Sequence, residues 1–135
     1  LYWNKFDLSF TRKMYFKESE INKYSATKGD LLICEGGDFG RAAIWRYDYN
    51  VCFQNHIHRL RPLGLLSVEF YFYIFYLYKK ANLLEGKGIA IQGLSSSALH
   101  ELMVPLPPYN EQLRIVSKIK ELFAKIDVIQ NSLEQ

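Results

Sequence analysis

Cys34, Cys52, His56 and His58 are the residues of this chain whose types could hold a metal. Two thiolates and two imidazoles complete a tetrahedral zinc site when the fold brings them together. His56 and His58 stand two apart, so on one strand they share a face. The cysteines, however, lack the tight Cys-x-x-Cys spacing of a zinc module. Both also sit among apolar residues, where a free cysteine acts as a small buried hydrophobe. The expectation is therefore no metal and no cofactor. A hydrolase built on His56 and His58 is the remotest of the functional readings.

Two further motifs fail for want of context. Asp38-Phe39-Gly40 spells the magnesium triplet of kinases, but no strand lysine, glycine-rich loop or His-Arg-Asp accompanies it. A hairpin turn with Gly40 at positive φ accounts for it. Gly86-x-Gly88 and Gly93 lack the Lys-Ser/Thr of a phosphate loop and the spacing of a dinucleotide fingerprint. They read as a flexible loop that lets the backbone come close to a ligand.

Gln54-Asn55-His56-Ile57-His58-Arg59-Leu60-Arg61 is polar for a strand with apolar neighbours. Glutamine and asparagine match the major-groove edge of adenine, and arginine matches that of guanine. The same residues would equally serve a sheet that satisfies its polar groups internally, and both readings stand at this point. The candidates for DNA contact are Arg12, Arg41, Arg46, Gln54, His56, Lys87, Gln92, Ser95 and Ser96. Lys13 accompanies Arg12. The stretch from Lys87 to Ser97 ranks highest, because it is polar, glycine-flexed and poorly suited to a core.

Seventeen basic residues against fourteen acidic ones give a net charge of +3. That permits nucleic-acid binding without demanding it, so any DNA-facing patch must come from uneven distribution. At 135 residues, 49% hydrophobic and 16% aromatic, the chain can bury one real core. Two cysteines are too few for a disulfide scaffold, which points to a reducing, cytoplasmic setting. No signal peptide is visible. A chain that begins at Leu1 reads as a fragment or a processed product, with strands missing before it.

The elements that must position these residues emerge from periodicity and punctuation. Ser19–Tyr24 is a helical turn. Leu31–Cys34 and Ala42–Trp45 are strands joined by the turn cluster Gly36–Gly40. Val51–Arg61 is a third strand, ended by Pro62 and Gly64. The run from Val68 to Tyr78 is too short to span a bilayer, which takes roughly 20 apolar residues. It is expected to be a buried helix with Ser67 as N-cap and Lys79 and Lys80 near its end, a buried strand being the alternative. Ser95–Ser97 can cap a short helix over Ala98–Leu102.

Pro105, Pro107 and Pro108 then stop the preceding structure and set the angle at which the C-terminal helix departs. From about Glu111 to the end, Ile115, Ile119, Leu122, Ile126, Ile129 and Leu133 recur at alternating spacings of four and three. That is a heptad seam, the pattern of a helix packed lengthwise on another. Val116 and Phe123 widen the stripe beyond a two-helix seam, which suggests contact with a body or a second pair of helices. A helix folded back on its own domain is the alternative, and the prolines argue mildly against it. The expected architecture is α+β: a β-rich domain with a short helix over residues 1–104, then a proline hinge and a long coiled-coil-type helix over residues 105–135.

Four stretches together resemble the specificity subunit of type I restriction-modification enzymes. They are Lys28–Ile33, Gly37–Ile44, Gln54–Pro62, and Leu102–Gln112 with Ile115-Val116 beyond. The last is similar to the family's Pro-Leu-Pro-Pro…Glu-Gln…Ile-Val entry into its conserved helix. The resemblance implies a target recognition domain followed by a spacer helix. It implies double-stranded DNA as ligand, two recognition units reading the halves of a split sequence, and paired helices that act as a ruler between them. It further implies docking of methyltransferase subunits on those helices and, through them, of the restriction subunit. Methyl transfer and ATP-driven cleavage would belong to those other chains, leaving this one without catalysis. Two other readings compete: a recognition module serving a single-chain restriction-methyltransferase, and a protein adaptor that uses its heptad helix and never touches DNA.

Overall fold

A computed structural model describes residues 1–9, 11–54, 56–84 and 93–134. The elements run α1 (Glu18–Tyr24), β1 (Ser25–Ala26), β2 (Leu31–Cys34), β3 (Ala42–Ile44), β4 (Val51–Cys52), β5 (Ile57–Leu60), α2 (Val68–Lys80), α3 (Ser96–Glu101) and α4 (Tyr109–Leu133). The fold is α+β, with small antiparallel sheets and a long C-terminal helix.

Strand β2 organises the head. It lies between β3 and β5 in an antiparallel sheet of order β3-β2-β5. Leu31 pairs with Ile44 and Leu60, and Ile33 with Ala42 and His58. All four β2 residues are buried, because successive side chains point to opposite faces and both faces are covered. On one face Leu31, Ile33, Ala42 and Ile44 pack against Phe70, Tyr71, Ile74 and Phe75 of α2. On the other, Leu32 joins Ala26 and Trp45 in a smaller cluster, flanked by Phe6, Val51, Phe53 and Ile57. The Trp45 indole N–H donates to the Tyr49 carbonyl at 2.7 Å, so this buried aromatic keeps its polar atom satisfied.

The β2–β3 hairpin closes as expected. Gly40 has φ +80°, and its N–H donates to the Cys34 carbonyl at 2.8 Å. A side chain there would be strained in that left-handed conformation.

The expected single strand over Val51–Arg61 is instead two strands in two sheets. β4 pairs with β1, Ser25 opposite Cys52, while β5 pairs with β2. Between them His56 turns the chain with φ +72°, and its carbonyl takes the Glu35 N–H at 2.8 Å. The turn moves the chain from one sheet to the other, which no alternation within the segment signals.

The aromatic run forms a helix, not a strand. Ser67 caps α2 by accepting the Phe70 N–H at 3.2 Å. Phe70, Tyr71, Ile74 and Phe75 fall on one helical face and are buried there.

Candidate nucleic-acid interface and helical arm

The two ends of the three-stranded sheet differ in chemistry. At one end, the link before β5, the start of the β2–β3 turn and the segment leading into α3 converge. The Glu35 N–H donates to the His56 carbonyl, and the Glu35 carbonyl accepts the Leu94 N–H at 2.7 Å. The His58 ring contacts the Leu94 carbonyl at 2.7 Å. The Glu35 backbone thereby ties His56 to Leu94, the residue before Ser95 and Ser96; Gln54, His56, Ser95 and Ser96 are all exposed. The His56 ring is 78% exposed, with Nδ1 at 4.0 Å from the Glu35 carboxylate. The Ser95 hydroxyl accepts the Ala98 N–H at 3.2 Å and so caps α3.

The fold separates the four residues whose types could hold a metal. His56 and His58 do not share a face, since His56 belongs to the turn and His58 to β5. Cys34 is buried in one sheet, whereas Cys52 lies in the other. Among the described residues no group of three or more histidine, cysteine or acidic side chains could hold a metal.

The opposite end of the sheet is a lattice of ion pairs. Arg61 grips Asp30 with two hydrogen bonds, Nε to Oδ1 at 2.7 Å and a terminal nitrogen to Oδ2 at 2.6 Å. Burial pushes the Asp30 carboxyl up, but the Arg61 hydrogen bonds, the Thr27 N–H and the nearby guanidinium charges outweigh it. Asp30 therefore ionises below the usual aspartate range. Glu69, in the first turn of α2, receives both Arg46 at 3.2 Å and Lys120 of α4 at 2.8 Å. Burial raises the Glu69 carboxyl, and Lys120 followed by Arg46 more than offsets that, leaving it below its ordinary value.

Arg46 is therefore a brace between head and arm. Arg41 is also engaged: its Nε lies 3.4 Å from Asp38, and its guanidinium sits over the Tyr2 ring at 5.5 Å. Arg12 and Lys13 are exposed on the N-terminal segment. Lys87 and Gln92, the preferred candidates from sequence, lie outside the described residues.

At the proline junction the structure reveals a residue that the seam pattern did not single out. Gln112 is 1% exposed. Its side-chain oxygen accepts the Ser67 N–H at 2.9 Å, and its side-chain nitrogen donates to the Pro107 carbonyl at 2.8 Å. One amide thus ties the α2 cap, the proline segment and the first turn of α4 together. The Tyr78 hydroxyl adds a second tie by donating to the Met103 carbonyl at 2.8 Å. Only the Glu-Gln pair after the prolines hinted at Gln112, because a buried polar side chain breaks no hydrophobic period.

The near half of α4 folds onto the head instead of leaving it at the prolines. Val116 is buried, Ile115 and Ile119 are half-buried, and the Phe123 ring stacks on Tyr73 with centroids 6.3 Å apart. From Glu121 onward every described residue is exposed, including Leu122, Ile126, Ile129 and Leu133.

Residues 8–135 match the family model of the type I restriction modification DNA specificity domain. The chain belongs to this family. Similarity extends to the Type I restriction enzyme EcoBI specificity subunit of Escherichia coli, 29% identical over 132 residues, 94% of this chain and 28% of that protein. The crystal structure of the HsdS subunit from Thermoanaerobacter tengcongensis superposes with a TM-score of 0.64 and 20% identity, over 80% of this chain and 25% of that one. A chain from a study of complex assembly and conformational transition of the type I R-M system gives 0.63 and 22%, over 81% and 26%. This specificity domain thus spans about a quarter of the length of these proteins. Those two structural likenesses speak for the fold: antiparallel sheets joined to a long helix. Among the described residues no helix is long and apolar enough to cross a membrane.

Proposed function

We propose that this chain is the recognition part of a type I restriction-modification specificity subunit and reads one half of a split DNA target. The family match across residues 8–135 carries this reading. In it, residues 1–104 form the DNA-reading domain and residues 105–135 the hinge and spacer helix. Gln54, His56, Ser95 and Ser96, with Lys87 and Gln92 from the adjoining segment, are the candidates for reading bases. Arg12, Arg41 and Arg46 are those for phosphates, Arg41 and Arg46 being the weaker two because Asp38 and Glu69 already hold them. The seam of Ile115, Ile119, Leu122, Ile126, Ile129 and Leu133 serves spacing and docking. Its partners are a second recognition unit or second copy, the methyltransferase subunits and, through them, the restriction subunit. The chain itself is non-catalytic, works in the cytoplasm and takes no cofactor.

The test is genome-wide mapping of methylated bases in cells with and without the intact gene. Disappearance of one split motif on removal is the expected result. An unchanged methylation pattern would refute the reading.

A further inference from the structure

The excess positive charge of the chain lies entirely at its N-terminal end. Residues 1–28 hold six of the seventeen cations and three of the fourteen acids, leaving eleven of each beyond. Local pairing sharpens the contrast. Of the eleven later cations, eight sit within 4.0 Å of a carboxylate: Arg41, Arg46, Arg61, Lys79, Arg114, Lys118, Lys120 and Lys125. Arg59 is spent on the Asn22 and Ser25 carbonyls, and Lys80 lies over the Tyr76 ring. Of the N-terminal cations Lys28 pairs with Asp48 at 2.6 Å. Arg12, Lys13, Lys17 and Lys23 have no carboxylate within that distance among the described residues, and all four are exposed, Lys23 with its ammonium 5.1 Å from the Tyr24 ring.

The segment that carries them is fixed to the head. Arg59 bonds the carbonyls at the end of α1, Ser25 and Ala26 pair with β4, and Phe16 packs on Tyr24, which packs on Phe53. The Phe53 N–H donates to the Tyr24 carbonyl at 2.8 Å. Lys23 therefore adjoins the link that bears Gln54 and His56. Glu18 and Glu20 share α1, and Glu20 is turned to the Lys17 N–H at 3.1 Å. Residues 11–24 keep two net positive charges. Tyr15, 88% exposed, stands among the cations.

We infer that Arg12, Lys13, Lys17 and Lys23 form the phosphate-gripping edge of this domain, laid along the DNA backbone beside the polar edge of Gln54 and His56. The inference deepens the DNA-reading function and rests on it. Cations already held by carboxylates release few counterions on binding, whereas unpaired exposed ones contribute fully. Arg41 and Arg46 accordingly brace the fold more than they grip DNA.

The experiment uses the full-length specificity subunit in its methyltransferase complex and a 30-base-pair duplex of arbitrary sequence. Affinity is measured over a series of KCl concentrations for the native complex and for a variant carrying Arg12→Gln, Lys13→Gln, Lys17→Gln and Lys23→Gln. The slope of log affinity against log salt is expected to fall by about 3 to 4, roughly 0.9 for each lost phosphate contact. A charge-keeping variant, Lys13→Arg with Lys17→Arg and Lys23→Arg, should retain the native slope. A control with Lys118→Gln and Lys125→Gln on the arm should lower it by less than about 1. A quadruple variant whose slope falls by less than about 1, or by no more than the arm control, overturns the inference while DNA binding itself stands. So does a quadruple variant that keeps its slope but assembles more weakly with the methyltransferase, which would assign the cations to an acidic protein surface. Absence of any DNA binding by the native complex overturns the DNA-reading function and the inference together.

Discussion

Gln112 and Val116, in the first two turns of α4, are buried against the head, whereas Ile129 and Leu133, in its last two turns, are 60% and 82% exposed. Both stretches belong to one uninterrupted helix of 25 residues, about 37 Å long at ~1.5 Å per residue. The heptad period runs through both without change. The period states that a partner is needed, and tertiary structure decides whether that partner is internal. For the near half it is α2. For the far half no described residue covers the row of Leu122, Ile126, Ile129 and Leu133, the kind of exposed apolar surface that marks an interface.

The largest test of this contrast compares two glutamines on the same helix. Gln112→Ala leaves the buried Ser67 N–H and the half-buried Pro107 carbonyl without partners and is expected to cost about 2 kcal/mol, since a fully buried orphan costs roughly 1–3 and a half-buried one less. Gln130→Ala, on the exposed half, removes only a 3.3 Å contact with Glu134 and should change stability by less than about 0.5 kcal/mol. Urea unfolding of both variants measures the difference. Equal losses would break the comparison between the two halves.

A smaller effect comes from pH. Glu69 ties the near half to the head through Lys120, and its carboxyl ionises below its ordinary value in the folded chain. The unfolded chain then binds more protons in that range, so stability rises with pH. The Glu69 contribution is complete above the unfolded carboxylate pKa and is lost as pH falls through the lower folded value. Replacing Glu69 by Gln should flatten the acid limb of a thermal-melt series, with a modest amplitude because these ion pairs are partly exposed. An unaltered acid limb would show that Glu69 braces nothing.

The smallest effect on folding, and the most informative for function, is expected at the tip. Ile126→Ala with Ile129→Ala should leave the unfolding of the head unchanged to within about 0.5 kcal/mol. The same pair should weaken association of the complete subunit through its spacer helix, read by sedimentation. A head that unfolds markedly more easily would show that the far half also leans on it.

Much of the scaffold was legible in the residues. The Ser67 cap, the apolar face of α2, the glycine-closed hairpin and the long amphipathic helix are local patterns, so a short window reveals them. The division of Val51–Arg61 between two sheets was not legible. It depends on one residue, His56, adopting a left-handed conformation that its own sequence does not require. The candidate site was legible in part. Gln54, His56, Ser95 and Ser96 stand out in the sequence as polar residues in separate segments, and backbone bonds from Glu35 to His56 and Leu94 join the His56 turn to the segment before Ser95. Arg41 and Arg46 stand out in the sequence by charge alone, and their pairing with Asp38 and Glu69 is a matter of spatial neighbours that spacing cannot supply.

The sequence by itself determined the element types, the proline stop, the family and the placement of excess positive charge before residue 29. These come from local propensity, periodicity and counting. Tertiary structure alone decided which cations remain unpaired, where Gln112 locks the junction, and at which turn α4 parts from the head. Each of those depends on atoms distant in the chain coming within hydrogen-bonding or ion-pairing reach. The one amide that joins Ser67, Pro107 and α4 shows why: its two partners lie 45 and 5 residues away, and only the folded chain brings both to it.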